Sequence, residues 1–230
     1  MRKSKLAYAL VLAGLAMASV ACPAALTGPE ILKRALDLQA GLQDYTATVQ
    51  VTVNMPGIQV PQRTAKLYFK RPDKVHVESK GIVMIPRQAL LMGDLGTQLA
   101  KQARVILTAT GQKDGAPLYF LKVLPPEGQA TSDRLLVWIR GDRFTIEKLE
   151  VHKGGQREIA VQWEHQLVNG RFWLMKRLQA EVSARQMGQR RRSGGGSQPA
   201  QTGPGTVTVV FSNVRVNSGL PDSLFVEQKH

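Results

Sequence analysis

Between Val105 and Ala184 the chain is a succession of strand-length apolar segments punctuated by turn pairs. No other feature constrains the fold as tightly. The segments are Val105–Thr110, Leu118–Leu124, Leu135–Ile139, Thr145–His152, Glu158–Glu164, Phe172–Arg177 and Leu178–Ala184. Gly141-Asp142, Gly154-Gly155 and Asn169-Gly170 lie between them. Asn-Gly is the preferred pair for a tight hairpin, because both central positions need positive φ. The spacing predicts a long antiparallel meander.

The region before it adds three more strands and a helix. Val49, Val51 and Val53 alternate with Thr48, Gln50 and Thr52, a period of two that gives one buried and one wet face. Pro56-Gly57 marks a turn, and a second strand runs from Ala65 to Lys70. Pro72-Asp73 ends it, since proline cannot donate to a ladder, and Val75 and Val77 open a third. Ahead of these, Thr27-Gly28-Pro29-Glu30 reads as a capping box. Ile31, Leu32, Ala35, Leu36 and Leu42 follow at helical spacing, which predicts a helix over 29–42.

Two segments break the strand pattern. In 86–103, Leu90, Leu91, Leu95 and Leu99 fit a helix that Gly93 and Gly96 weaken. Residues 186–205, rich in Gly, Gln, Ser and Arg, cannot build a core and read as a flexible loop before a last strand, Thr206–Val216. The expected fold is α+β and mainly β: one antiparallel sheet that curls on a helix and leaves a concave apolar face. Residues 22–230 are expected to form a single domain.

The first 21 residues read as a signal peptide. Arg2, Lys3 and Lys5 precede an uncharged stretch from Leu6 to Val20 that is too short for a stable membrane span. Ser19-Val20-Ala21 offers small residues for cleavage. Cys22, the single cysteine, directly follows Ala21. It is either the first residue of a cleaved, soluble chain or a site of lipidation. No intramolecular disulfide is available, and with 43% hydrophobic residues the chain needs none.

The formal charge is +14. Without the three leader cations, 28 basic residues still face 17 acidic ones. Such a surplus points to nucleic acid or to an anionic surface. Export argues against nucleic acid as a partner, and the basic tract Arg185, Arg190, Arg191 and Arg192 lacks interleaved stacking aromatics. Anionic lipid headgroups fit it better, with a solvated linker as the plainer reading.

Three stretches carry a family resemblance. Leu67-Tyr68-Phe69-Lys70-Arg71-Pro72-Asp73-Lys74-Val75 resembles a strand motif of the periplasmic outer-membrane lipoprotein carrier (LolA-like) superfamily. Leu36 to Val53, with Leu42-Gln43-Asp44-Tyr45-Thr46-Ala47, resembles that family's helix-to-first-strand passage. Val214 to Phe225 resembles the last strand and tail of related lipoprotein-sorting proteins. The resemblance implies a strongly bent sheet, an incomplete barrel closed by helices, whose cavity shelters lipoprotein acyl chains in transit. It also implies that Arg71 holds the lid by hydrogen bonds to backbone carbonyls. The family's Asp-Gly-x-x-x-Trp-x-Tyr hairpin is missing, because Lys80-Gly81-Ile82-Val83-Met84-Ile85-Pro86 stands in its place.

The candidate cavity or lid residues are therefore Leu67, Phe69, Leu91, Leu95, Trp138 and Trp163, with Phe172 and Trp173 beside them. Ordinary sheet core is the competing reading for each. His76, His152 and His165 lack the spacing of metal ligands, so no metal and no cofactor are expected. Asp142, Glu147, Glu150, Glu158 and Glu164 are scattered, and no nucleophile elbow, phosphate loop or His-Glu-x-x-His is present, so no catalysis is expected. The expectation is a monomeric periplasmic carrier or chaperone whose partners are lipoprotein acyl chains or another lipid. The alternatives are an envelope-stress sensor or interaction protein of the same fold, and a basic module that adheres to anionic lipid or wall.

Overall fold

The computed structural model describes residues 25–56, 58–79, 104–126, 132–182 and 204–226. The leader, Cys22, the predicted helical segment at 86–103 and nearly all of the 186–205 loop lie outside the described residues.

The helix α1 spans Gly28–Asp37. The Glu30 carboxylate accepts the backbone N–H of Thr27 at 2.8 Å, which satisfies a donor at the helix start. The helix ends earlier than its apolar spacing predicts. Ala40 N–H donates to the Asp37 carbonyl and Leu42 N–H to the Gln39 carbonyl, so tight turns replace the last predicted turn. Gly41 follows with φ 87°. Leu42 is fully buried, but it reaches the core from this connection and not from the helix.

Ten strands follow: β1 (Asp44–Met55), β2 (Ile58–Lys70), β3 (Lys74–Ser79), β4 (Arg104–Lys113), β5 (Ala116–Leu124), β6 (Arg134–Arg140), β7 (Thr145–Lys153), β8 (Gln156–Val168), β9 (Phe172–Val182) and β10 (Gly205–Val216). All lie in one sheet, ordered β3-β2-β1-β10-β9-β8-β7-β6-β5-β4, with every neighbouring pair antiparallel. The predicted segments Phe172–Arg177 and Leu178–Ala184 are one strand, β9. Its pairing with β8 shifts register between Glu164 and His165, opposite Met175 and Arg177. Exposed Lys176 is the extra residue there, and it interrupts the alternation that otherwise marks a continuous strand. The β8–β9 hairpin turns on Asn169 (φ 51°) and Gly170 (φ 64°), as the Asn-Gly pair predicts.

The sheet is an incomplete barrel, with β3 and β4 as its edges. Its inner face wraps α1. Ile31 and Leu32 of the helix join one core cluster with residues of β1, β2, β5, β6, β7, β8, β9 and β10. Arg34 places its guanidinium 5.1 Å from the Phe144 ring in the β6–β7 turn. Gly28 lies against the β4 backbone, where an added Cβ would meet the Leu107 nitrogen at 2.9 Å and the Val105 oxygen at 3.0 Å. The helix also leads directly into β1, so β1 and β4, distant in strand order, are both drawn to it. That is the physical sense of the curvature.

Candidate functional site

The pairing registers assign the inner face row by row. Val105, Val123, Leu135, Val151 and Ile159 align across β4 to β8. The next row is Leu107, Leu121, Val137, Leu149, Val161, Ala180, Val207 and Val53. Below it, Trp163 pairs with Leu178, and Leu178 with Val209 and then Val51. The trough is thus aliphatic from one flank to the other. Each fully buried side chain of this kind contributes about 1.5–3 kcal/mol.

The two ends of the trough differ. At one end a polar knot ties four parts of the chain together. The Asp44 carboxylate is buried and accepts from Ser218 N–H (2.8 Å), Ser218 Oγ (2.9 Å), Gly219 N–H (2.9 Å) and Leu220 N–H (3.3 Å). Desolvation raises its pKa, but the donors of Ser218, Leu220 and Gly219 outweigh that and hold it below the usual carboxylate value. Asn217 accepts from Gln43 N–H at 2.8 Å and donates to the Gly41 carbonyl at 3.2 Å. Lys70 donates to the Leu220 carbonyl at 2.7 Å and, with Lys74, pairs with Asp222 in the short helical turn Asp222–Phe225.

At the other end lie Met55, Ser79, Arg104, Leu124, Arg134, Lys153, Val182 and Gly205. The connections β3–β4, β5–β6 and β9–β10 all leave the sheet there. The half-buried Val53, Met55, Val105, Leu135 and Ile159 carry the apolar lining to that end.

The sequence-predicted residues separate under this geometry. Leu67 (0% exposed), Phe69 (8%) and Trp163 (4%) belong to the inner cluster, as does Phe172. The Phe69 ring lies 5.1 Å from Tyr45. Trp138 does not join them. It sits between buried Val137 and Ile139 and opposite Phe120 and Lys148, on the outer face. There it makes an edge contact with Phe120 (6.2 Å) and lies under the Lys148 ammonium (4.6 Å). A one-residue step in a strand reverses the face, so the flanking aliphatics exclude Trp138 from the trough. Trp173 is half-buried beneath Arg143, whose guanidinium is 4.5 Å from its ring. Leu91 and Leu95 lie outside the described residues.

Arg71 stands at the knotted end. Its Nη2 donates to the Gln39 carbonyl at 2.9 Å, just past α1, and its backbone N–H to Gln43 O at 2.9 Å. It therefore does grip a backbone carbonyl, in the α1–β1 connection. The partners implied for it in a lid lie outside the described residues.

The titratable residues are mostly taken up in ion pairs. Glu147 binds Lys113 (2.8 Å) and Arg143 (3.0 Å), Glu150 binds Lys148 (2.8 Å) and faces His152 (3.0 Å), and Asp142 binds Arg140 (3.0 Å). Among the described residues no group of three His, Cys, Asp or Glu is placed to hold a metal ion. His165 is half-buried, and desolvation of its ring lowers its pKa to about 4. Two buried polar atoms have no hydrogen-bond partner among the described residues: Trp163 Nε1 and His165 Nδ1.

Sequence reasoning missed most of the trough, because Val105, Leu107, Leu121, Val137 and Leu149 are unremarkable in composition. Their signal was parity: along β6, Leu135, Val137 and Ile139 share one face.

A mainly-β fold with a helix held in the curve of an open antiparallel sheet defines the class. Solved structures of the same architecture exist, although no family model matches the sequence and no curated protein matches it. A DUF1329 family protein from Desulfovibrio piger aligns with a TM-score of 0.59 at 16% identity, covering 86% of this chain and 95% of that one. A putative outer membrane lipoprotein-sorting protein domain from Vibrio parahaemolyticus gives 0.58 at 15%, with 86% and 95% covered. A LolA superfamily protein from Nitrosomonas europaea gives 0.54 at 12%, with 88% and 99% covered. The chain has a LolA-like fold.

Proposed function

We propose that this protein is an envelope carrier or chaperone that binds the acyl chains of a lipoprotein, or of another lipid, in the trough and ferries them toward the outer membrane. The observation that carries the reading is the asymmetry of the trough: aliphatic rows run to one end, and a hydrogen-bonded knot stands at the other, on the β1–β10 flank. Burial of methylenes is worth about 0.8 kcal/mol each, so a long acyl chain offsets much of the cost of association. The fold shared with a putative lipoprotein-sorting domain supports the same reading. Binding and release need no covalent step, and the carrier works without catalysis. The uncharged leader core supports export to the periplasm or cell envelope. Among the described residues no helix is long and apolar enough to cross a membrane.

The outer face favours a second reading. Phe120 and Trp138 form a half-buried aromatic pair beside Lys148, with Ile106 of edge strand β4 also exposed. Such a patch suits a protein partner, as expected of a sensor or interaction protein.

Native mass spectrometry of the protein purified from its own envelope, followed by lipid extraction, tests the carrier reading. A co-purifying lipid or acylated peptide is the expected result. A protein that is empty, and stays empty after incubation with phospholipid and synthetic lipopeptide, would overturn it in favour of the partner reading.

A further inference from the structure

Arg63 is a charged residue in an apolar row. Alternation along β2 turns it inward with Leu67 (0% exposed) and Ala65 (4%), and its register partner on β1 is the inward Val51 (3%). The adjacent Gln62 points the other way and donates to Thr52 Oγ1 on the outer face at 3.2 Å. From Val51 the row continues through Val209 and Leu178 to Trp163, so Arg63 terminates it. β3 stops at Ser79, opposite Ala65. Among the described residues β2 is therefore the outermost strand at this point, and Arg63 stands on the rim of the trough. The residue is exposed, and among the described residues its side chain has no ion pair or hydrogen bond.

A guanidinium in that position can do what the aliphatic rows cannot. An acyl chain laid along the row brings its head to the rim. There Arg63 offers a planar fork of N–H donors that matches a phosphate or carboxylate. We infer that Arg63 binds the anionic headgroup of the acylated ligand, so that the trough selects anionic lipids over zwitterionic ones with the same chains. The inference rests on the carrier reading and deepens it. Methylene burial supplies affinity without direction, whereas one cation on the rim sets which end of the ligand lies outward.

The test uses dioctanoyl-phosphatidylglycerol and dioctanoyl-phosphatidylcholine, which share their acyl chains and differ in the net charge of the head. Each is titrated calorimetrically, below its micelle concentration, into the full mature protein: wild type, Arg63→Gln and Arg177→Gln. Arg177 is exposed on the outer face, between its register partners Glu164 and Val210, so its loss removes one positive charge without touching the rim. The wild type is expected to bind phosphatidylglycerol about fivefold more tightly, the worth of one well-formed exposed ion pair. In Arg63→Gln the two lipids are expected to bind alike, at the wild-type affinity for phosphatidylcholine. Arg177→Gln is expected to keep the preference. Equal binding of both lipids by the wild type would overturn the inference and leave the carrier reading standing. So would a preference that survives Arg63→Gln, or one that Arg177→Gln also abolishes, since overall charge would then account for it. Glycerol 3-phosphate, an anionic head without acyl chains, is expected not to bind measurably. Binding as tight as that of the lipid would make Arg63 part of a free-phosphate site and overturn the inference. Failure of both lipids to bind the wild type would sink the carrier reading itself.

Discussion

The carboxylate of Asp44 accepts both the backbone N–H and the hydroxyl of Ser218, a residue 174 positions later in the chain. One buried side chain thus joins the start of the first strand to the tail that follows the last. Hydrogen bonds to a charged group contribute about 1.5–3 kcal/mol each. Asp44→Ala leaves the N–H groups of Ser218, Gly219 and Leu220 without their acceptor and is expected to cost about 3 kcal/mol or more. The urea midpoint reads it. The pH dependence follows from the depressed pKa. The folded state holds the charged form more strongly than the unfolded chain, so the stabilisation is fully present above the unfolded value of 3.8. It is lost as pH falls through the lower, folded value. Between pH 5 and the onset of acid unfolding, Asp44→Asn should show a flatter midpoint profile than the wild type.

His165 has the opposite chemistry and the same direction of pH dependence. Burial lowers its pKa from 6.5 to about 4, so the folded protein keeps it neutral where the unfolded chain would protonate it. The unfolded state then binds more protons, and stability falls as pH drops from 6.5 toward 4. His165→Gln should remove this part of the slope. Imidazole resonances of the native protein should show no titration of His165 near pH 6.5. A midpoint close to 6.5 would contradict the burial described here.

Gly28→Ala reverses the usual rule for helices. Alanine favours helix over glycine by about 1 kcal/mol. At this position its Cβ would lie 2.9 Å from the Leu107 nitrogen and 3.0 Å from the Val105 oxygen, both backbone atoms of β4. They cannot swing aside as a side chain would, so α1 must lift from the sheet. The variant is expected to lose about 1–3 kcal/mol despite its better propensity. Thermal unfolding measures it, and a stabilised protein would show that the helix does not seat on β4.

The face assignment of β6 is tested by one pair of substitutions. Ile139 is 0% exposed on the inner face, whereas Trp138 is half-buried on the outer one. Ile139→Asn loses its packing and buries an amide, at an expected cost of about 4 kcal/mol. Trp138→Asn loses the contacts with Phe120 and Lys148, about 2 kcal/mol, and keeps its polar atoms wet. Chemical denaturation orders the two, and the reverse order would place Trp138 in the trough.

Much of the strand content was legible because period-two alternation is written into each strand. Val49, Val51 and Val53 are inner-face residues as their spacing implies, and the Asn169-Gly170 turn is where its dihedral needs place it. Three features were hidden for physical reasons. The exposed pair Lys176-Arg177 imitates a strand end, although it marks only a register shift. Leu42 keeps helical spacing while belonging to a turn. Trp138 looks like a pocket aromatic in composition, and only the parity of Val137 and Ile139 reveals its side. The knot around Asp44 was not legible at all, since its partners are non-local and no local pattern records that Ser218 returns to it.

The insertion of β10 between β1 and β9 has a consequence for biogenesis. As the polypeptide is made, β4 to β9 can pair successively, each with its predecessor, and β1 to β3 can do the same. Among the described residues the two halves share no ladder until residues 205–216 arrive. Until then β1 and β9 each offer a bare edge, the condition in which chains pair with foreign strands. β10 is therefore the keystone of the sheet: in a nascent chain stalled before it the two halves lack a joining strand, and the arch stands only once the last strand has been set.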